Sequence, residues 1–349
     1  MDNSKILDEI IKYEKNISIE KYIDICLYSK NGYYKNLDVI GRKGDFITSS
    51  EISQLFGEII GLFILDYWQT KINKPFNLIE LGPGSGTLIS DILRVTKKFK
   101  NFNESAEVNL VESNLAHIKK QKKNISSSLI LNKKINWSRK FHSNNPKPVI
   151  IIANEFFDCF PIRQFYKKNN YWYEKNVQFN ANKNKLELFD DIVVKTDTLK
   201  KIMKYKPINV LEFSRSREKY FSEICQHIRN VGGTMIVIDY GYVKKLTNFT
   251  LQSIYNNKKS HILDNIGNQD ITSLVDFEKL IAIVKKNKLV IDLFTTQRNF
   301  LLMHGIIERF NKFLPNLTNK DEIKMKQGLD RITNKQNMGS FKVLIISKK

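Results

Sequence analysis

The stretch that most constrains this chain is Leu78–Gly86, which reads L-I-E-L-G-P-G-S-G. A short apolar run ends in an acid, and three glycines follow at alternate positions. The run predicts a buried strand. Beyond it, Leu88, Ile89, Ile92 and Leu93 recur at helical spacing. Glu80 is therefore expected near a strand end, with Gly82, Gly84 and Gly86 making the turn into a helix. In open α/β sheets this is where ligands bind.

The spacing narrows the ligand. A dinucleotide fingerprint needs its third glycine at position 87, which is Thr87, and no Gly-Lys-Ser/Thr marks a P-loop. The remaining pattern, acid-x-G-x-G-x-G, resembles motif I of the class I S-adenosylmethionine methyltransferases. That cofactor carries no phosphate, so the glycines would serve close backbone approach rather than anion binding. Glu80 would help hold its cationic amino-acid end. A second apolar run, Val108–Val111, ends at Glu112. An acid there can accept hydrogen bonds from both hydroxyls of a ribose.

The β-branched run Val149–Ile152, closed by Ala153, reads as a central strand buried on both faces. It ends in N-E-F-F-D-C-F-P, residues 154–161. Asn154 is assigned to the cofactor side. Glu155 and Asp158, two acids among aromatics, form the candidate substrate site. Carboxylates there can pair with a guanidinium, position its nitrogen and take up a proton. The bland alternative is a pair of helix N-terminal acids. Asp239, closing the apolar run 234–238, is a lesser candidate.

Ahead of the glycine motif lies G-R-K-G-D-F-I-T-S-S, residues 41–50. It reads as a loop, either a connector or a wall over the cofactor that uses Thr48 and Ser49. Thr48 with Glu51 is expected to form a capping box for the helix at 52–67.

Composition excludes several classes. With 349 residues, 42% hydrophobic and 27% charged, the chain is an ordinary globular protein. The net charge is +21, but Lys, Asn and Ile saturate the whole sequence and no dense basic stripe stands out. Nucleic acid is therefore not expected as a partner. Cys26, Cys159 and Cys225 lie far apart, and the five histidines form no ligand set, so no metal is expected. No apolar run reaches membrane length, and the N-terminus lacks the features of a leader. A cytoplasmic protein without membrane insertion is expected.

Residues 1–35 read as helical, and 162–190 as an aromatic β-hairpin or meander inserted in the core fold. A strand is expected at 210–214, a helix to Val231, and an irregular loop over 242–275. Helices at 276–286 and 299–313 flank a strand at 290–296. A final strand at 338–346 is expected at an antiparallel sheet edge.

These stretches together resemble one family. G-D-F-I-T-S-S-E-I-S-Q-L-F-G-E (44–58), the glycine motif (78–88), A-N-E-F-F-D-C-F-P (153–161), I-D-Y-G (238–241), D-I-T-S-L-V-D-F (270–277) and M-G-S-F-K-V-L (338–344) are similar, in content and order, to the MidA-type methyltransferases. The resemblance implies an α/β fold: a class I methyltransferase Rossmann-like sheet, with an N-terminal helical segment (1–70) and a catalytic domain (71–349) carrying insertions at about 162–205 and 242–290. It implies S-adenosyl-L-methionine as cofactor, held by Glu80, Gly82, Gly84, Gly86 and Glu112, with Gly44, Asp45, Thr48 and Ser49 as a second wall. Glu155 and Asp158 fall on the substrate side. Mitochondrial members assist respiratory complex I assembly and symmetrically dimethylate an arginine of a core subunit, so the resemblance implies protein arginine methylation here. It leaves a homodimer open. Ser50 and Leu274 depart from the family, which often has Pro and His there. The alternatives are methylation of a small molecule or RNA, and a non-catalytic assembly factor on the same fold.

Overall fold

The computed structural model describes residues 4–13, 16–35, 48–126, 135–142, 144–193, 197, 200, 209–244 and 246–349. Its centre is a seven-stranded sheet, here numbered in chain order: β1 Phe76–Leu81, β2 Ala106–Val111, β3 Ile135–Ser138, β4 Val149–Asn154, β5 Gly233–Asp239, β6 Leu289–Thr296 and β7 Lys342–Lys348. The spatial order is β3-β2-β1-β4-β5-β7-β6. Neighbours from β3 through β5 pair parallel; β7 runs antiparallel to both β5 and β6. The reversed final strand thus lies inside the sheet, and β6 takes the edge expected for it.

The order reverses direction between β1 and β4, which places the C-terminal ends of these two strands beside one crevice. Strand β4 is apolar throughout because both its faces are covered. Ile150 and Ile152 pack under the helices Gln54–Tyr67 and Thr87–Thr96. Val149, Ile151 and Ala153 pack under Arg215–Val231 and Phe277–Lys286. Gly57 and Gly61 let the first two helices cross closely: a Cβ at Gly61 would stand 2.6 Å from Val95 Cγ1.

A second sheet, formed from the inserted aromatic strands Arg163–Lys168, Tyr171–Asn180 and Lys185–Ile192, recruits Ile17–Ser18 and Val210–Phe213. The N-terminal helices Ser4–Ile11 and Ile19–Tyr28 pack against it through Ile6, Ile23, Val177 and Leu186. The described residues of 1–35, expected to be helical, thus hold two α-helices, a short strand and a 3-10 turn.

Three local expectations are corrected. The region 242–275 is not irregular: Gln252–Tyr255, Lys258–Ser260 and Asp270–Thr272 form a three-stranded sheet. Helix Phe277–Lys286, inside the span 242–290 expected as an insertion, packs on the central sheet, and β6 starts where that span ends. The helix expected at 299–313 is two, Gln297–Met303 and Ile306–Asn311, broken at Gly305, where φ is +81°. A further helix, Asn319–Thr333, has no counterpart in the sequence reading. Gly44 and Asp45 lie outside the described residues.

Candidate functional site

The crevice at the C-terminal ends of β1, β2 and β4 opens into a cavity of about 750 Å³, within the range of small-molecule sites. Gly82, Gly84, Glu112, Thr48, Asn154, Glu155 and Asp158 all line it. Glu80, Gly86 and Ser49 do not line it and sit behind the lining.

The glycine turn has the backbone the sequence demands. Gly82, Gly84 and Gly86 have φ of +62°, +54° and +83°, a region that favours glycine. A Cβ on Gly82 would stand 2.8 Å from the Phe156 ring. Behind the turn, Glu80 is buried, and Oε2 has no hydrogen-bond partner among the described residues. Burial pushes its carboxyl up to about 8.

Glu112 is held from its own helix cap. Its Oε1 accepts from Asn114 N–H at 2.8 Å, and Oε2 accepts from Gln121 Nε2 at 3.2 Å. Gln121 also donates to Gly84 O at 2.8 Å and accepts from Trp137 Nε1 at 2.9 Å. One buried amide thereby sets the glycine turn and the acid of β2 relative to each other.

Glu155 follows directly after β4 and has φ +49°, an uncommon conformation for a side chain of its kind. Its N–H donates to Ile238 O at 2.8 Å. Its Oε1 accepts from Ser49 N–H at 2.9 Å and Asn154 Nδ2 at 3.3 Å. Its Oε2 is closed to solvent and has no partner among the described residues, and neither has Asn154 Oδ1. Burial raises Glu155 to about 8, against the lowering effect of Ser49 N–H.

Asp158 is buried and accepts a hydrogen bond from the Tyr240 hydroxyl. Burial raises its pKa; the Tyr240 bond and the Arg217 charge oppose the rise. Asp239 is fully buried and lines no part of the cavity. It accepts from Phe157 N–H and Tyr240 N–H, both at 3.0 Å, and so braces the loop that carries the other two acids.

The capping box expected at Thr48 and Glu51 does not form. Thr48 is the N-cap of a short helix, Ser49–Ile52, but makes no side-chain cap bond; its Oγ1 lies 3.0 Å from Ser50 Oγ. Glu51 turns instead to Ser85 and Thr87.

The sequence reading missed the opposite wall. Tyr28 donates to Cys159 O and Tyr34 to Asp270 Oδ1, both at 2.9 Å, and these tyrosines line the cavity with Asp24 and Glu20. The only signal was the Gly32-Tyr33-Tyr34 break, which by itself points nowhere. Leu274, standing where the family often has His, does not line this cavity but a separate small pocket beside Glu212 and Arg217.

Although the whole chain is strongly basic, the cavity wall holds Glu20, Asp24, Glu112, Glu155, Asp158 and Asp270 against Lys21, Arg139 and Lys140. The Gly82 backbone, which has no room for a Cβ beside Phe156, and Asn154 Oδ1, unpartnered among the described residues, suit a cofactor seated on the glycine turn.

A family model described as "Putative S-adenosyl-L-methionine-dependent methyltransferase" matches residues 59–295. A human relative, named protein arginine methyltransferase NDUFAF7, mitochondrial, is 30% identical over 94% of this chain and 79% of its own length. The Caenorhabditis elegans homologue is 30% identical, with 89% and 78% covered. The Drosophila melanogaster homologue is 29% identical over 75% of this chain, which spans only 65% of that relative. A Burkholderia thailandensis protein solved bound to S-adenosyl-homocysteine superposes with a TM-score of 0.84, covering 99% of this chain and 91% of its own, at 18% identity, and shares the fold. The expected cytoplasmic placement is corrected here, because these relatives are named mitochondrial. With more than half of its length matched, the chain belongs to the family of S-adenosyl-L-methionine-dependent methyltransferases.

Proposed function

We propose that this protein transfers the methyl group of S-adenosyl-L-methionine to an arginine side chain of a protein substrate. The observation that carries the reading is the pair Glu155 and Asp158, in an acid-rich cavity of a strongly basic chain, with Glu155 Oε2 buried and unpartnered among the described residues. A carboxylate so placed calls for a cationic hydrogen-bond donor.

The bound cofactor supplies an electrophilic methyl group. Gly82 and Gly84 would admit its amino-acid end, Asn154 would meet its polar groups with Glu80 behind the turn, and Glu112 would hold the ribose. Thr48 would form the second wall with Ser49 bracing Glu155 behind it, and Gly86 shapes the helix start. Glu155 and Asp158 bind the guanidinium and orient one nitrogen. In the free protein burial favours the protonated form of Glu155; an entering guanidinium would displace that proton to water, and the carboxylate would then accept the proton that the methylated nitrogen releases. We further propose, from the family resemblance, symmetric dimethylation of a respiratory complex I subunit in support of assembly, by a homodimer. The chain divides into a helical segment, 1–70, and a catalytic part, 71–349.

Transfer of tritium from labelled cofactor to arginine-containing peptides tests the reading. Label on arginine supports it. A protein that binds cofactor yet labels only a small molecule or RNA sinks the arginine assignment, and one that binds no cofactor is a binding platform.

A further inference from the structure

Glu51 belongs neither to the glycine turn nor to the substrate acids, yet it touches the first and sits two residues from the second's partner. Its Oε1 accepts from Thr87 Oγ1 at 2.9 Å and from the Ser85 hydroxyl. Those two hydroxyls lie 2.8 Å apart and flank Gly86 at the start of helix Thr87–Thr96. The same single turn, Ser49–Ile52, presents Ser49 N–H to Glu155 Oε1 at 2.9 Å.

The turn is itself pinned from behind. Ser49 is fully buried; its Oγ lies 3.3 Å from Gln297 Oε1 and 3.4 Å from Met338 Sδ. Gln297 in turn donates to Ile332 O at 2.8 Å. Four residues of chain thus join the helix start behind the glycine turn to Glu155, and they rest on a fixed support. A hydrogen-bonded element that short cannot shift at one end without shifting at the other.

We propose that Glu51 is a positioning residue that couples the cofactor turn to Glu155, so that filling the glycine turn sets the substrate acid. This rests on the methyltransferase reading above. The link is thermodynamic and therefore reciprocal: occupancy at either end favours the hydrogen-bonded turn that the other end requires.

Hydrogen exchange over residues 48–52, measured with and without S-adenosylhomocysteine, tests the coupling without relying on turnover. In the wild type the ligand should slow exchange of Ser49 N–H at least tenfold. Glu51→Ala should abolish the slowing while the ligand still binds. Glu51→Gln, which keeps an acceptor oxygen, should restore a good part of it. Should Glu51→Ala fail to fold, the Ser85→Ala/Thr87→Val pair removes the same bonds from the other side and should give the same loss. Ligand binding without slowing in the wild type, or slowing that survives loss of Glu51, overturns the coupling and leaves the methyltransferase reading standing. A folded wild type that binds no S-adenosylhomocysteine overturns both.

Discussion

Tyr240 donates its hydroxyl hydrogen to Asp158 across 82 positions of sequence, and this bond opposes the burial that raises the acid's pKa. Tyr240→Phe takes the donor away and leaves the carboxylate in the same buried place. Asp158 should then ionise at a higher pH. The midpoint of the rising limb of a pH–rate profile should move to higher pH, at a stability cost of about 1–3 kcal/mol. An unchanged profile would remove Asp158 from the reacting set.

Glu155 sets a different pH dependence. A guanidinium is charged at every working pH, so its partner must be ionised to hold it. Glu155 titrates near 8 in the free protein. Affinity for an arginine peptide should therefore rise roughly tenfold per pH unit between about 6 and 8. In Glu155→Gln that slope should vanish and kcat/KM should fall by about 100-fold or more. Calorimetric titration of the peptide at several pH values checks the first claim, and steady-state kinetics the second.

The glycine turn is the most direct test of the cofactor site. Gly84 has φ +54°, a conformation costly for any branched residue. Gly84→Val should weaken S-adenosylmethionine binding by at least about 100-fold, a loss of about 2.7 kcal/mol. Gly82→Ala should weaken it too, because its Cβ would push against Phe156. Isothermal calorimetry on variants that keep the wild-type melting temperature separates lost binding from lost folding.

Glu80 should make the cofactor-free protein less stable in alkaline solution. Unfolded, its carboxyl titrates near 4.5; folded, burial lifts it to about 8. Between those values the folded state holds a proton that the unfolded state has released, so stability falls as pH rises through that window. Glu80→Gln cannot ionise. It should melt like the wild type at pH 4 and be more stable at pH 8, by on the order of 3 kcal/mol. Urea unfolding at the two pH values reads the difference.

Much of this architecture is legible in the sequence because local chemistry dictates it. The run 149–153 can only be a strand covered on both faces, and Gly82, Gly84 and Gly86 announce a turn that other residues resist. What the sequence hides is long-range. Asp239 looked like another strand-end acid, yet it serves two backbone N–H groups of the neighbouring loop. Glu51 read as a capping partner of Thr48, but hydroxyls over thirty residues away outcompeted the local bond. The helix Asn319–Thr333 did carry a local sign, since Thr318 caps Asp321 N–H at 3.2 Å. Its many Lys, Asp and Glu residues masked it. The strands of 252–272 are polar and short, and only their pairing makes them strands.

The wall opposite Glu155 has a consequence for biosynthesis. Tyr34 leaves the ribosome early, but its hydrogen-bond acceptor Asp270 follows 236 residues later. A nascent chain that has already emerged through Cys159 holds the glycine turn, the substrate acids and the acceptor of Tyr28, yet lacks the segment against which Tyr34 closes. That wall is thus completed by late-arriving chain, because Tyr34 gains its acceptor only once Asp270 has been made.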